Sequence, residues 1–252
     1  MPSRAPHALS LTMKQLLLSL HTSTVADGNM ALRFGDADTV RNNRAHFFVQ
    51  AGVLDTKIAL MEVSHGAVVR DVSLDLFHAQ QELSLETEAV ITREANITLF
   101  LLTADCIPVV VFDSVQGVLA LAHLGWRPTV LGLMEKTITH MEQVYGSNPQ
   151  NLSVYLGPSI QAASYAFSEV TQDDPRWTPY LLRGEDGMVH VDLPGYVKSE
   201  CLRLGLSKEA VHVSSVDTAK DEQYFSHMRS KRTGSTEGRF ATIATLRYAN
   251  EA

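Results

Sequence analysis

Buried β-strands dominate the apolar pattern of the chain. Two long apolar segments, "NITLFLLTADCIPVVVFD" (96–113) and "GVLALAHLGWR" (117–127), are separated by the polar turn "DSVQG", and each is predicted to form one buried strand. "KIALMEVSHGAVVRDV" (57–72) alternates apolar and polar positions around Ser64-His65-Gly66, which predicts a turn or bulge between strands. "NLSVYLGPSI" (151–160) and "GRFATIATLRY" (238–248) are predicted to form two further strands.

Three segments have helical spacing instead. "DADTVRNNRAHFFVQAG" (36–52) is predicted to be a helix that Asp36 or Asp38 caps and Gly52 ends. "PTVLGLMEKTITHMEQVYG" (128–146) is the clearest helix, with Pro128 in its first turn and Gly146 at its C-terminal cap. "GYVKSECLRLGL" (195–206) is predicted to be a second amphipathic helix.

Strands and helices are mixed without a regular βαβ repeat, and the sequence contains neither GxGxxG nor a Walker A motif. These features predict an α+β (layered α/β) fold of mixed β-sheets flanked by helices, and they argue against a Rossmann domain. Because no repeat, low-complexity block or linker interrupts the chain, we expect a single domain over residues 1–252.

The net charge and the number of cysteines limit the ligands and the cellular compartment that suit this chain. The net charge of −7 argues against nucleic-acid binding, so an anionic substrate would need a local cluster of Arg or Lys. Two cysteines are too few for a disulfide framework and suit a reducing compartment, which favours a cytoplasmic protein. No apolar run is long enough to span a membrane. "LSLTMKQLLLSLHTS" (9–23) contains Lys14 and no cleavage site follows it, so we expect a strand or short helix of the mature protein and not a signal peptide.

Candidate chemistry lies at the ends of the apolar segments. Cys106, His65 and His123 are each most often structural when considered alone, but one thiolate with two imidazoles suits a tetrahedral Zn²⁺ site with an open fourth position. The same residue types also suit a nucleophilic Cys106 with His123 as its base, and Asp105 would then orient the histidine or act on the substrate. Copper is a weaker alternative, because none of the 10 histidines lies in a His-x-His pair.

Several arginines accompany these residues. Arg127 follows Gly-Trp at a predicted strand end, Arg44 lies on the first predicted helix, and Arg229 and Arg239 flank "SKRTGSTEG". Guanidinium groups that converge on a pocket suit bidentate binding of phosphate or carboxylate. These four arginines are therefore candidate phosphate-binding residues.

The same residues carry a family resemblance. "FGDADTVRNNR", "VSHGAVV", "TADCIPVVVFD", "ALAHLGWR", "YLGPSI", "VDL" and "YFSHMRSKRTGSTEGR" occur in an order and spacing that resemble the laccase-domain family, also called YfiH-like. That family was first labelled multicopper polyphenol oxidoreductase and is now regarded as zinc-containing purine nucleoside phosphorylases that also deaminate adenosine. The resemblance covers roughly residues 25–247.

The resemblance implies one domain of layered sheets and a zinc ion held by His65, Cys106 and His123. It also places Arg44, Asp105, Arg127 and Arg239 in the same pocket, with Arg44, Asp105 and Arg127 as catalytic residues. It also implies phosphorolysis of adenosine, inosine, guanosine or methylthioadenosine, with adenosine deamination as a second activity. The expected partners are a purine nucleoside and inorganic phosphate, and the expected assembly is a monomer or small homo-oligomer.

The chain departs from the family pattern at three places. Leu124 and Pro128 replace Ala and Gly in the usual His-Ala-Gly-Trp-Arg-Gly, and Ser164-Tyr165-Ala166 replaces the usual Cys-Tyr-Glu. Asp217-Thr218 replaces the usual Cys-Thr. Two other functions stay open: a cysteine hydrolase or amidase acting on a cell-wall or amino-acyl conjugate, and a zinc-binding scaffold that has lost catalysis.

Overall fold

A computed structural model describes residues 16–172 and 174–248. Within these ranges the α-helices are α1 Ala37–Gln50, α2 Trp126–Val130, α3 Leu133–Tyr145, α4 Leu193–Arg203 and α5 His227–Thr233. The strands are β1 Leu16–Thr22, β2 Lys57–Glu62, β3 Val69–Asp71, β4 Glu82–Glu86, β5 Ala89–Thr92, β6 Ile97–Thr103, β7 Ile107–Asp113, β8 Val118–Leu124, β9 Leu152–Leu156, β10 Ala166–Phe167, β11 Leu181–Arg183, β12 Val189–Val191, β13 Val211–Val213 and β14 Phe240–Tyr248.

These strands form three sheets. A five-stranded sheet has the order β1-β14-β6-β2-β4, and a six-stranded sheet has the order β13-β9-β7-β8-β5-β3. A small sheet of order β10-β12-β11 lies in the loop region between β9 and α4. Both large sheets contain parallel and antiparallel pairs, so the predicted α+β fold with mixed sheets is confirmed.

Helices and the two large sheets stack in four layers. Phe47 of α1 packs with Phe100 and Ile243 on the outer face of the five-stranded sheet. The other face of that sheet packs against the six-stranded sheet, whose far face is covered by α3 and α4. Strands with both faces buried favour apolar residues on both faces, which is why β7 and β8 are apolar except for Asp113 and His123.

The segment 96–113 is two strands, and the prediction of one continuous strand is wrong. Strand β6 belongs to the five-stranded sheet and β7 to the six-stranded sheet, so the chain crosses between layers at residues 104–106. Asp105 makes the turn with a φ of 86°, in the left-handed region that non-glycine residues rarely adopt. The crossing places Asp105 and Cys106 at the rim of both sheets.

The predicted helix 128–146 is also divided. A short helix α2 begins at Trp126, and Gly132 with a φ of 75° separates it from α3. Gly146 ends α3 in a left-handed cap, as predicted. The predicted helix 36–52 is confirmed as α1, and Asp36 caps it by accepting a hydrogen bond from the Thr39 amide.

The N-terminal stretch 9–23 is described only from residue 16, where it forms edge strand β1 paired with β14. Residues 9–15 lie outside the described residues. Among the described helices, none has the length and apolar character needed to cross a bilayer.

Candidate metal centre and active site

The crossing between the sheets brings three metal-binding side chains together. Cys106 directly precedes β7, His123 lies opposite Pro108 in β8, and His65 occupies the loop between β2 and β3. One ligand atom from each of these residues lies within 4.8 Å of the other two. In residues 16–172 and 174–248, this is the one cluster of three or more such groups.

A buried carboxylate orients both histidines. Glu88 precedes β5, and its Oε2 accepts a hydrogen bond of 2.7 Å from His123 Nδ1. Its Oε1 accepts hydrogen bonds from the amides of Ser64 and Gly66 at 2.7 and 3.1 Å, which fixes the turn that carries His65. Because Nδ1 of His123 donates to Glu88, its Nε2 is left as an acceptor for a metal, the arrangement of a carboxylate–histidine–metal triad. Glu88 was not among the site residues predicted from the sequence.

Charge interactions prepare the thiol for ligation. Burial alone would raise the pKa of Cys106, but the charge and hydrogen bonds of His123 and His65 outweigh burial and lower this pKa to about 6. Burial would lower the pKa of His123, but Cys106 and then Glu88 outweigh it and raise this pKa to about 9. Without a metal, both pKa shifts favour a thiolate beside an imidazolium.

The donor set fits a metal ion with one open position. Ligand atoms bonded to a tetrahedral ion at about 2.0–2.3 Å are about 3.3–3.8 Å apart, so small side-chain adjustments close the observed spacing. Gly125 leaves the room that this requires, because a Cβ at that position would stand 2.8 Å from Cys106 Sγ. His65 is exposed towards the adjoining cavity, which leaves one side of the cluster accessible.

A cavity of about 520 Å³ adjoins the cluster, within the range of small-molecule sites. Its walls include His65 and Cys106 and three aromatic side chains, Trp126, Tyr165 and Phe167. Burial, followed by the charges of Cys106 and Asp105, raises the pKa of Tyr165, so its hydroxyl remains a proton donor.

Asp105 lines this cavity, but its carboxylate serves neighbouring chain segments. Oδ1 accepts a hydrogen bond of 2.7 Å from the Thr218 hydroxyl, and Oδ2 accepts one of 2.7 Å from the Met228 amide. Its carbonyl accepts a hydrogen bond from the Ile160 amide. Asp105 therefore connects the layer crossing to the start of α5.

The four candidate arginines are in different environments. Arg127 lines the cavity, and among the described residues no hydrogen bond or ion pair engages its guanidinium. Arg44 is a buried residue of α1, and its Nε donates to the Met30 carbonyl while its guanidinium lies 5.1 Å from the Phe100 ring. Arg44 is not among the residues that line the cavity.

Arg229 and Arg239 also bind protein groups. Arg229 donates to the carbonyls of Thr218, Asp221 and Tyr224. Arg239 donates to the Gly238 carbonyl and to Glu237, and its guanidinium lies 4.3 Å from the Phe34 ring. The structure thus brings Asp105 and Arg127 to the metal-binding cluster, while Arg44, Arg229 and Arg239 lie outside the cavity wall.

Two of the departures from the resembled pattern contact each other. Ser164 Oγ donates a hydrogen bond of 2.6 Å to Asp217 Oδ2, so these replacements form a hydrogen-bonded pair. Leu124 is completely buried in the core beneath α3, and Pro128 lies in the first turn of α2, where a backbone N–H has no helical partner. None of these replacements changes a residue of the three-ligand cluster.

Comparisons with known proteins identify relatives of this chain. A family model described as multi-copper polyphenol oxidoreductase laccase matches residues 16–247. A protein of Bacteroides thetaiotaomicron named purine nucleoside phosphorylase is 29% identical over 217 residues, which cover 81% of this chain and 78% of that protein. A protein of the same name from Xylella fastidiosa is 28% identical over 226 residues, which cover 87% and 84%.

The fold has a solved counterpart. The crystal structure of YlmD from Geobacillus stearothermophilus aligns with a TM-score of 0.78 over 92% of each chain, at 24% sequence identity. At that identity the likeness supports the fold alone.

Proposed function

The chain belongs to the multi-copper polyphenol oxidoreductase laccase family, and from this membership we propose that it is a metal-dependent purine nucleoside phosphorylase. The reaction would transfer the ribosyl group of a purine nucleoside to inorganic phosphate. The name shared by the two sequence relatives supports this proposal. The observation that carries it is the His65–Cys106–His123 cluster on the wall of a cavity that also contains Arg127, whose guanidinium has no partner in residues 16–172 and 174–248.

The cavity supplies what phosphorolysis needs. Arg127 offers a planar guanidinium for a phosphate anion. Trp126 and the protonated Tyr165 offer ring surfaces and a donor for a flat heterocycle. We assign to Asp105 the role of holding the cavity wall in place and of adding negative charge near a cationic sugar in the transition state.

Zinc is the metal that we propose. One thiolate and two imidazoles, with one accessible side, match zinc sites that keep a position for water or substrate. Zinc at these ligands would supply a Lewis acid and a water of lowered pKa, which is the chemistry required for adenosine deamination as a secondary activity. In this account His123 is kept in the ligating tautomer by Glu88, and Cys106 is kept ionised by the two histidines.

We also propose the substrates, the assembly and the compartment of the protein. The substrates are adenosine, inosine, guanosine or methylthioadenosine, together with phosphate. We propose a cytoplasmic monomer or small homo-oligomer that does not bind nucleic acid. The two free thiols, Cys106 and Cys201, support a reducing compartment.

A cysteine hydrolase is the second candidate, because a thiol with a pKa of about 6 beside an imidazole is also a nucleophile pair. In that account Cys106 attacks an acyl carbon and His123 returns the proton to the leaving group. It requires no phosphate and predicts an acylated Cys106 during turnover.

Product analysis distinguishes the candidates. Purified protein is incubated with inosine or adenosine, with and without phosphate, and bases and sugars are separated by chromatography. Phosphorolysis gives free base and ribose 1-phosphate only when phosphate is present. Base release at the same rate without phosphate, or no base release, would contradict the proposal.

A further inference from the structure

His227 is a cavity residue that the proposed function has not used. It is the first residue of α5 and lines the cavity together with His65, Cys106 and Arg127. Its Nδ1 lies 2.7 Å from Glu237 Oε1. The hydrogen bond from His227 outweighs burial and lowers the pKa of Glu237, so Glu237 is an ionised acceptor and Nδ1 carries a proton.

A third residue positions this pair. Both Nη atoms of Arg239 lie 3.3 Å from Glu237 Oε1, and the Arg239 guanidinium is fixed by the Gly238 carbonyl and the Phe34 ring. Arg239, Glu237 and His227 therefore form a continuous chain that ends at the cavity. An imidazole oriented by a carboxylate, which is itself oriented by another group, is the arrangement that positions acid–base residues in enzymes.

The helix that carries His227 is also held in place. Asp105 accepts the Met228 amide, and the side chain of Ser226 accepts the Arg229 amide and caps the helix. Arg229 binds three carbonyls of the preceding loop, and Arg232 donates to the Ser164 carbonyl. Asp105 and Arg229 thus have a shared structural effect, which is to hold the start of α5 against the cavity.

We propose that His227 is the general acid that protonates the departing purine, with Glu237 and Arg239 as positioning residues. This inference rests on the proposed phosphorolysis. Because Nδ1 is bound to Glu237, Nε2 is the ring atom available to a ligand in the cavity. The hydrogen bond to Glu237 fixes the orientation of the ring that donates the proton.

The step balances in atoms and charge. A phosphate oxygen of H₂PO₄⁻ forms a bond to C1′ while the C1′–N9 bond breaks, and the bond's electron pair remains on the purine. His227 Nε2 gives its proton to N7 of the purine, which leaves as the neutral base. The phosphate group loses one proton as the sugar phosphate forms, and that proton restores His227.

Neighbouring charges are compatible with this assignment. Among the described residues, the cavity wall contains the carboxylates of Asp105 and Glu169 and the guanidinium of Arg127. Both oxygens of Asp105 already accept hydrogen bonds, whereas Nε2 of His227 has no partner among the described residues. His227 is therefore better placed than Asp105 to deliver a proton.

The test compares two leaving groups. Inosine needs a proton on its base when the glycosidic bond breaks, whereas 7-methylinosine already carries a positive charge at N7 and its base leaves without one. We measure kcat/KM for both nucleosides at saturating phosphate in the wild type and in His227→Gln. Loss of a general acid typically lowers the rate about 10²–10⁴-fold, so we expect a loss of at least about 10²-fold on inosine and less than about threefold on 7-methylinosine.

Two further variants complete the test. Glu237→Gln should also lower kcat/KM more for inosine than for 7-methylinosine, by a smaller factor than His227→Gln, and this difference tests the role of His227 if His227→Gln does not fold. His140→Gln removes an imidazole that is also bound to a carboxylate, Asp71, but lies outside the cavity wall, and it should change neither rate. Equal losses on the two substrates, or no loss, would overturn the role of His227 alone. A wild type inactive on both nucleosides would overturn the proposed function and this inference together.

Discussion

Replacing Glu88 by Gln tests how the metal-binding cluster is built. The substitution keeps the size of the side chain and removes its charge at a site that is 1% exposed. Glu88 accepts hydrogen bonds from the amides of Ser64 and Gly66 and from the ring of His123. A glutamine has only one accepting oxygen, so it cannot satisfy all three donors.

The magnitude follows from which contact is lost. If the amide oxygen keeps the Ser64 and Gly66 amides, the NH₂ group faces His123 Nδ1 and moves the ring proton to Nε2, the atom that must bind the metal. Loss of such a supporting carboxylate typically lowers metal affinity 10–100-fold, or about 1.4–2.8 kcal/mol. The opposite amide orientation places two N–H donors against two backbone N–H groups, which is no less costly.

Zinc affinity is measured by competition with a chromophoric chelator, in the wild type and in Glu88→Gln. Glu86→Gln is the matched control, because Glu86 is an exposed carboxylate at the end of β4 and lies outside the cluster. We expect the control to bind zinc as the wild type does. Equal affinity of Glu88→Gln and the wild type, with both proteins folded, would refute the role assigned to Glu88.

Three other substitutions or treatments have defined outcomes. Arg127→Ala should lower kcat/KM for phosphate roughly 10–150-fold, because it removes a charged hydrogen bond of about 1.5–3 kcal/mol. The thermal midpoint of unfolding should not change. Unchanged phosphate kinetics would show that the anion binds elsewhere. In metal-free protein, the rate at which iodoacetamide alkylates Cys106 should rise with pH and be half-maximal near pH 6, the pKa of this thiol. Cys201 is the internal control, because burial raises its pKa to about 12 and keeps it unreactive. Bound zinc should protect Cys106, and rapid labelling of the zinc-loaded protein would favour the cysteine hydrolase. Gly125→Ala should weaken zinc binding, because its Cβ would stand 2.8 Å from Cys106 Sγ; wild-type affinity would show that the loop moves away at little cost.

Apolar runs and their bounds were sufficient to predict the fold class and the long central strands of both large sheets, but they did not predict β4, β5 or the short strands β10–β13. They did not predict where one run passes between two sheets, because β6 and β7 are each buried on both faces and are equally apolar on either side of residues 104–106. The polar pair Asp105-Cys106 inside that run was the available signal. Gly132 within the predicted helix was a similar signal for the break between α2 and α3.

Candidate site residues were predictable by type but not by partner. One thiol and two imidazoles indicated a metal-binding cluster, and their ligand atoms meet within 4.8 Å. For the arginines, the sequence shows the charge but not the partner of the guanidinium group. Arg229 binds backbone carbonyls and Arg239 binds Glu237. Glu88 was missed because an isolated acid before an apolar strand is usually exposed, and only the fold places it beside His123.

The central claim is that His65, Cys106 and His123 hold one zinc ion at the wall of the substrate cavity. A crystal of the purified protein, with diffraction recorded above and below the zinc absorption edge, tests it directly. The account predicts one zinc peak per chain, about 2.3 Å from Cys106 Sγ and about 2.0–2.1 Å from a nitrogen of each histidine. A copper signal at these ligands, or a zinc peak bound elsewhere with Cys106 free, would contradict it.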